Sequence, residues 1–274
     1  MFKFSQSPFL QALGYTIVNS LWQFAFLWLI YLAINCIISL SAHKKYAAAV
    51  SLQLAGFAWF IITFIFYYNK CIYLANTGYE FNEGLVSFGQ MSYTGSLKDR
   101  MLLGILRTEV FLPYLSVAYL IIFFFLIIKW IDAFRFSKAL QVTGLEKIDV
   151  PYRLFVNKLS HQMGLKRSVR VFLSHYVKSP LTVGFLKPII LLPFASLNNL
   201  SCDQVEAVLL HELAHIKRSD YLFNLLLSVI EVALFFNPFM QLLSRHIKRE
   251  RENSCDDWVL QFEYNASNYA KALL

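Results

Sequence analysis

The sequence predicts a mainly α-helical membrane protein: three transmembrane helices, followed by an α+β domain with a small sheet. Three observations lead there. Of the 274 residues 57% are hydrophobic and only 15% charged, with 26 Phe and 15 Tyr, which is too apolar for an ordinary soluble domain. Three apolar stretches, 14–40, 47–68 and 110–131, each supply the roughly 20 residues that cross a bilayer. Beyond the third, the chain turns basic, and short strand-like runs alternate with helical ones.

The first stretch is longer than the core of a signal peptide, and no small-residue cleavage site follows it, so it reads as a span rather than a removable leader. The second is bordered by Tyr67, Tyr68 and Lys70, and the third ends at Lys129 and Trp130, the aromatics and cations that favour a membrane–water boundary. His43, Lys44 and Lys45 fill the connection between the first two spans. Lys129, Arg135, Lys138, Lys147, Arg153, Lys158, Lys166, Arg167 and Arg170 follow the third. An excess of Lys and Arg marks the cytoplasmic side, so both regions are expected inside, with the N-terminus and residues 69–109 outside. That exterior segment carries Gly78, Gly84, Gly89 and Gly95 without a clear period and reads as an irregular or partly helical loop. The expected division is a transmembrane region over 1–131 and a cytoplasmic domain over 132–274. The net charge of +8 then belongs to loops facing anionic lipid and the cytoplasm. No nucleic-acid-binding motif accompanies it, which argues against direct nucleic-acid contact. Cys36, Cys71, Cys202 and Cys255 are scattered and make no disulfide framework.

In the second half, Leu154, Val156, Leu159 and Met163 lie on one side of an expected helix over 149–164 that Gly164 would stop. Residues 169–173, 181–185 and 189–192 read as short strands, the last two bounded by Pro180, Pro188 and Pro193. Ser201-Cys202-Asp203-Gln204 is an S-x-x-Q capping box ahead of an apolar helical run. A fourth apolar stretch, 221–243, has Lys217 and Arg218 before it and Arg245, Lys248, Arg249 and Arg251 after it, so both ends look cytoplasmic. Asn237-Pro238 interrupts it and Glu231 sits in its middle. A proline breaks the helical ladder and a carboxylate is costly in lipid. A straight crossing is therefore disfavoured against a helix buried in the second domain, or one abutting or re-entering the membrane.

The capped helix carries His211-Glu212-Leu213-Ala214-His215, an H-E-x-x-H pattern. Two histidines four apart project from one helical face toward a single zinc ion, and the intervening glutamate can take a proton from a metal-bound water. With six His and ten Glu in the chain, chance placement would give roughly 0.005 such matches. The chemistry this pattern supports is hydrolysis of peptide bonds. A catalytic zinc has three protein ligands and an open position, so one more ligand is needed. Glu252 and Asp256 lie four apart, and Glu252 could bind the metal while Asp256 accepts a hydrogen bond from a ligand imidazole. On pattern alone the pair also suits a solvated acidic patch. Glu250, Cys255 as a thiolate, and His246 as ligand or transition-state donor stay open as rivals. His161 and His175 are solitary and read as structural. A small sheet before the motif helix offers an edge strand to an extended peptide.

These residues resemble a family. Ser179-Pro180-Leu181-Thr182-Val183-Gly184-Phe185, Pro188 to Pro193, the motif with Lys217, Arg218 and Asp220, and Glu252 to Asp256 are together similar to the membrane metalloproteases of the beta-lactam sensor-transducer type, BlaR/MecR-like. The resemblance implies a gluzincin-like zinc protease domain with His211, His215 and Glu252 as ligands, Glu212 as general base, and Asp256 and Asp220 behind the ligands. It implies Zn2+ as cofactor and a multi-pass protein of a bacterial-type cell membrane. It also implies a cytoplasmic repressor-like substrate, self-cleavage in some members and control by an external signal, and it leaves a homo-oligomer open. Members of that type carry a penicillin-binding domain that this chain does not reach before Leu274. The only S-x-x-K match facing a span, Ser41 to Lys44, lacks its partner motifs and reads as chance. Residues 269–274 look like a helix cut part-way, which favours truncation. A housekeeping membrane protease of the prenyl-protein or heat-shock type, and a non-catalytic relay with a metal site, are the alternatives.

Overall fold

The computed structural model describes residues 7–76, 97–194 and 200–260, and of 97–110 the backbone alone. Its elements are α1 (Pro8–Ile37), α2 (Ala42–Asn76), α3 (Leu97–Ala139), β1 (Leu145–Lys147), α4 (Val150–Gln162), β2 (Arg170–Ser174), β3 (Leu181–Val183), β4 (Ile189–Pro193), α5 (Cys202–Arg218), α6 (Asp220–Ala233) and α7 (Pro238–Leu260). They form two compact units, one of Met1–Leu40, Ala47–Ile127 and Ala233–His246, the other of Ser41–Tyr46, Ile128–Val232 and Ile247–Leu274.

α1, α2 and the part of α3 from Phe111 are long and apolar enough to cross a membrane. At 1.5 Å per residue the 30 residues of α1 extend about 45 Å, beyond the roughly 30 Å hydrocarbon thickness. In lipid, helices gain little from apolar contact alone and associate through close packing and polar contacts. Gly14 and Gly56 show the first: a Cβ on Gly14 would lie 2.6 Å from Leu112 Cβ, and one on Gly56 2.6 Å from the Phe24 ring. Gln23 Nε2 donates to Thr63 Oγ1 at 2.9 Å, and Ser116 Oγ to the Leu10 carbonyl at 2.6 Å.

The helices overrun their apolar stretches. His43 to Lys45 lie in the first turns of α2 rather than in a loop, and α2 continues through 69–76, which the sequence assigned to the exterior segment. A helix ends where its backbone loses i→i−4 partners, not where hydropathy falls. Residues 97–109 are likewise helical in α3. The glycines of that segment, in 77–96, lie outside the described residues, as do 269–274.

The fourth apolar stretch is two helices. α6 stops at Ala233 and α7 starts at Pro238, whose missing N–H is harmless at the first helical position. Asn237 Oδ1 accepts from the N–H groups of Phe239 and Met240, both at 3.1 Å, and its Nδ2 donates to the Ser20 carbonyl at 2.9 Å. Tyr119 donates to the Ala233 carbonyl at 2.9 Å and stacks on Phe235, and Ser244 Oγ donates to Gln53 Oε1 at 3.3 Å. Residues 233–246 thus pack among the apolar helices of the first unit, while α6 up to Val232 belongs to the second. Glu231 lies in that second part, where Lys248 Nζ meets it at 2.9 Å.

The second unit is built on a four-stranded sheet of order β1-β2-β4-β3. β2 and β4 run parallel, while β1 and β3 are antiparallel to their neighbours. One face carries Val171, Leu173, Ile190 and Leu192 against Val156 and Leu159 of α4 and Val208, Leu209 and Leu213 of α5. The other carries Val183, Ile189 and Leu191 with Leu140 and Val177. The three expected strands are present within a residue or two. Gly184, at φ +89°, ends β3 early. β1 has no alternation in its Leu-Glu-Lys sequence and was not expected; its pairing with β2 defines it. α4 is closed by Gly164 at φ +68°, with Gly164 N–H on the His161 carbonyl and Leu165 N–H on Ser160, the Schellman pattern.

Candidate metal centre

The candidate centre is positioned by α5, α6, β3 and the part of α7 from Ile247, all in the second unit. Ser201 starts α5 with the expected box: its hydroxyl accepts from Gln204 N–H at 3.3 Å, and Gln204 Oε1 accepts from Ser201 N–H at 2.9 Å. This fixes the register of the helix, which buries Leu209, Leu210 and Leu213 and turns His211 and His215 to one side of it.

The two imidazoles present Nε2 to each other at 3.1 Å. From α7, Glu252 Oε2 lies 3.5 Å from each of these nitrogens. The remaining nitrogens face carboxylates: His215 Nδ1 is 2.8 Å from Asp220 Oδ2, and His211 Nδ1 is 3.1 Å from Asp256 Oδ1. Arg251 Nε and Nη2 both donate to Glu252 Oε1, at 3.0 and 2.9 Å, leaving Oε2 to the histidines. Glu212 is buried and its Oε2 accepts from Thr182 Oγ1 at 2.7 Å. A cavity of about 380 Å³ opens over these groups, lined also by Leu181, Phe185, Tyr221 and Asn224.

Three lone-pair-bearing atoms thus converge. Two imidazole nitrogens at 3.1 Å repel unless something positive lies between them. A tetrahedral ion bound at 2.0–2.1 Å sets its ligands about 3.3 Å apart, close to the spacings here, and with Asp220 and Asp256 each facing an Nδ1, a proton on that nitrogen would leave Nε2 free for an ion. The donor set therefore fits zinc. The electrostatics of these side chains agree. Burial pushes His215 down, but contacts with Asp220, Cys255 and Glu252 outweigh it and the imidazole is raised. His211 is also raised: Asp256 and Glu252 overcome burial and the neighbouring imidazole. Burial would raise Glu252, yet the two histidines and Arg251 hold it well below the usual carboxylate range. A proton and a metal compete for one pocket of negative potential.

Of the rivals from the sequence, Cys255 borders the centre, where with His215 and Asp220 it forms a second group able to hold a metal; Glu250 and His246 have other partners. Glu250 is buried against Asn253 Nδ2 at 3.3 Å and Arg249 Nη2 at 3.5 Å. His246 belongs to the first unit, against the rings of Trp28 and Tyr31. Cys255 Sγ is buried 3.4 Å from His215 Nδ1, on the side of the ring facing Asp220. His175 pairs with Glu146 at 3.1 Å. Two contributors escaped the sequence. Arg251, which orients Glu252, gave no signal beyond its adjacency. Thr182 gave none either, since a β-branched threonine is ordinary in a strand.

Comparison with known proteins assigns the chain to a family. The family model described as BlaR1 peptidase M56 matches residues 94–274. The chain belongs to that family. It is 43% identical to the regulatory protein BlaR1 of Bacillus licheniformis over 88 residues, 32% of this chain and 14% of the relative. It is 29% identical to the methicillin resistance mecR1 protein of Staphylococcus aureus (strain Mu50) over 131 residues, 48% of this chain and 22% of the relative. To BlaR1 of S. aureus it is 25% identical over 150 residues, 53% of this chain and 25% of the relative. The chain thus spans a quarter or less of these relatives' length. As a member of the M56 peptidases with three helices fit to cross a membrane, it is a membrane protein of a metallopeptidase family.

Proposed function

We propose that this chain is the membrane-bound zinc endopeptidase part of a signal-transducing protein. His211, His215 and Glu252 hold the ion and Glu212 is the general base. The observation that carries the reading is the convergence of both Nε2 atoms and Glu252 Oε2 within one small cluster, each Nδ1 being held by a carboxylate. When bound, zinc supplies a water acidic enough to be deprotonated near neutral pH and a positive charge for the attacked carbonyl. The chain's residues do the rest. Glu212, buried beside the histidines, takes the proton and delivers it to the leaving amine. β3, an outer strand of the sheet and a wall of the cavity, can pair with an extended peptide through its backbone.

The relatives' names, a regulatory protein and a methicillin resistance protein, support a regulatory role. We take the substrate to be a cytoplasmic, repressor-like protein, with self-cleavage as a second event and an external signal as the trigger. The domain boundary is placed after residue 131. The basic residues following the third span support a cytoplasmic second domain and an N-terminus outside. Asp256 and Asp220 act behind the ligands, and a homo-oligomer is compatible with this reading. Glu212→Gln in the full chain tests the enzyme reading: cleavage is lost while one zinc per chain is retained. Cleavage at the wild-type rate would remove Glu212 from the role, and zinc without any cleavage by the wild type would favour a signal relay.

A further inference from the structure

β3 is three residues long, and its side chains alternate between the two faces of the sheet. Val183, with Leu181 against it, belongs to the apolar layer containing Ile189 and Leu191. Thr182, between them, faces the side of α5. Its register partner on β4 is Ile190, fully buried in the opposite core. Thr182 is half-buried and lines the cavity. A valine would have the same shape, so packing does not require the hydroxyl.

Its partner is the carboxylate of Glu212. Thr182 Oγ1 is 2.7 Å from Glu212 Oε2 and 3.5 Å from the Glu212 carbonyl. A hydroxyl has one proton to donate, and the shorter, charge-assisted contact is the stronger. Glu212 is 6% exposed, so water screens this contact little. We propose that Thr182 is a positioning residue for Glu212: its hydroxyl fixes one carboxylate oxygen, leaving the other to face the proton that the base must take. This deepens the reading of Glu212 as the base and rests on it. It also ties the base to an outer strand, so that a peptide pairing with β3 would be aligned by the strand that aligns the base.

Two substitutions separate positioning from packing in the full chain. Thr182→Val keeps shape and β-branching and removes the hydroxyl; Thr182→Ser does the reverse. With fluorescein-labelled casein as probe, Thr182→Val should lower kcat about ten- to a hundredfold with KM and zinc stoichiometry unchanged, and Thr182→Ser should restore most of it. A packing role predicts the opposite order, and that order would overturn the proposal. A second arm needs no turnover. In metal-free protein, the melting-temperature changes of Thr182→Val and Glu212→Ala should be non-additive, with Thr182→Val having no effect once Glu212 is Ala. Equal changes in both backgrounds would overturn the contact. If casein is cut by no variant and not by the wild type, the proteolytic reading fails while this second arm still decides the Thr182–Glu212 contact.

Discussion

Asp220→Asn probes the support behind the metal ligands. Asp220 is 4% exposed, and its Oδ2 lies 2.8 Å from His215 Nδ1. Its other oxygen is 3.5 Å from Arg218 Nε. Asparagine has the same shape and can still accept from Nδ1–H, so the fold should be kept. What is lost is the negative charge that makes Nε2 a better donor and holds the ring in place. Losing such a partner typically weakens metal binding 10- to 100-fold, about 1.4–2.7 kcal/mol. Competition with a chromophoric zinc chelator at pH 7.5, on the full chain in detergent, measures it. Asp257→Asn is the control: the same charge change on exposed Asp257 of α7 should leave affinity unchanged. If Asp220→Asn binds zinc as tightly as the wild type, or both variants lose affinity equally, the argument from the His215–Asp220 contact is refuted.

Other expectations concern titration and folding. Because His211 and His215 are raised in the metal-free protein, zinc must displace protons at neutral pH; calorimetry in buffers of different ionisation enthalpy should show release, and affinity should fall as pH falls. The sign for stability follows. Raised imidazoles stabilise the metal-free protein fully below about pH 6.5, and that contribution fades as pH climbs through their folded-state values. Lowered Glu252 acts oppositely, stabilising above the ordinary carboxylate range and losing its effect as pH falls. Melting of metal-free protein should therefore weaken from neutral toward alkaline pH, and a rise would contradict these contacts. Ser201→Ala removes the cap of α5 and should cost about 1 kcal/mol, seen as faster hydrogen exchange in the first turn. Leu210→Ala, on a fully buried side chain, should cost about 2–5 kcal/mol, read from denaturant midpoints.

The sequence made the centre legible because one helix carries most of it. H-E-x-x-H places three residues by helical spacing, and the Ser201–Gln204 box announces where that helix begins. Glu252 and Asp256, one turn apart, were readable as a pair, with Glu250 and Cys255 as rivals whose surroundings only folding gives. Asp220 came through family resemblance; no local rule picks out an aspartate five residues past a histidine across a helix break. β1 was invisible because three residues without alternation are defined only by a neighbour. The fourth apolar stretch shows a different limit. Asn237-Pro238 revealed the break, but hydropathy does not tell that residues 233–246 pack with the spans while α6 joins the sheet domain. Thr182 reads as an ordinary β-branched strand residue until Glu212 is seen 2.7 Å away.

The central claim is that two imidazoles and one carboxylate grip a single divalent ion. X-ray absorption at the zinc edge, on full-length protein loaded with one equivalent, tests it most directly. The account predicts a shell of nitrogen and oxygen at about 2.0–2.2 Å with two imidazoles, which loses one imidazole in His215→Ala and a light scatterer in Glu252→Ala. A sulfur at about 2.3 Å would put Cys255 on the metal in place of Glu252 and contradict it.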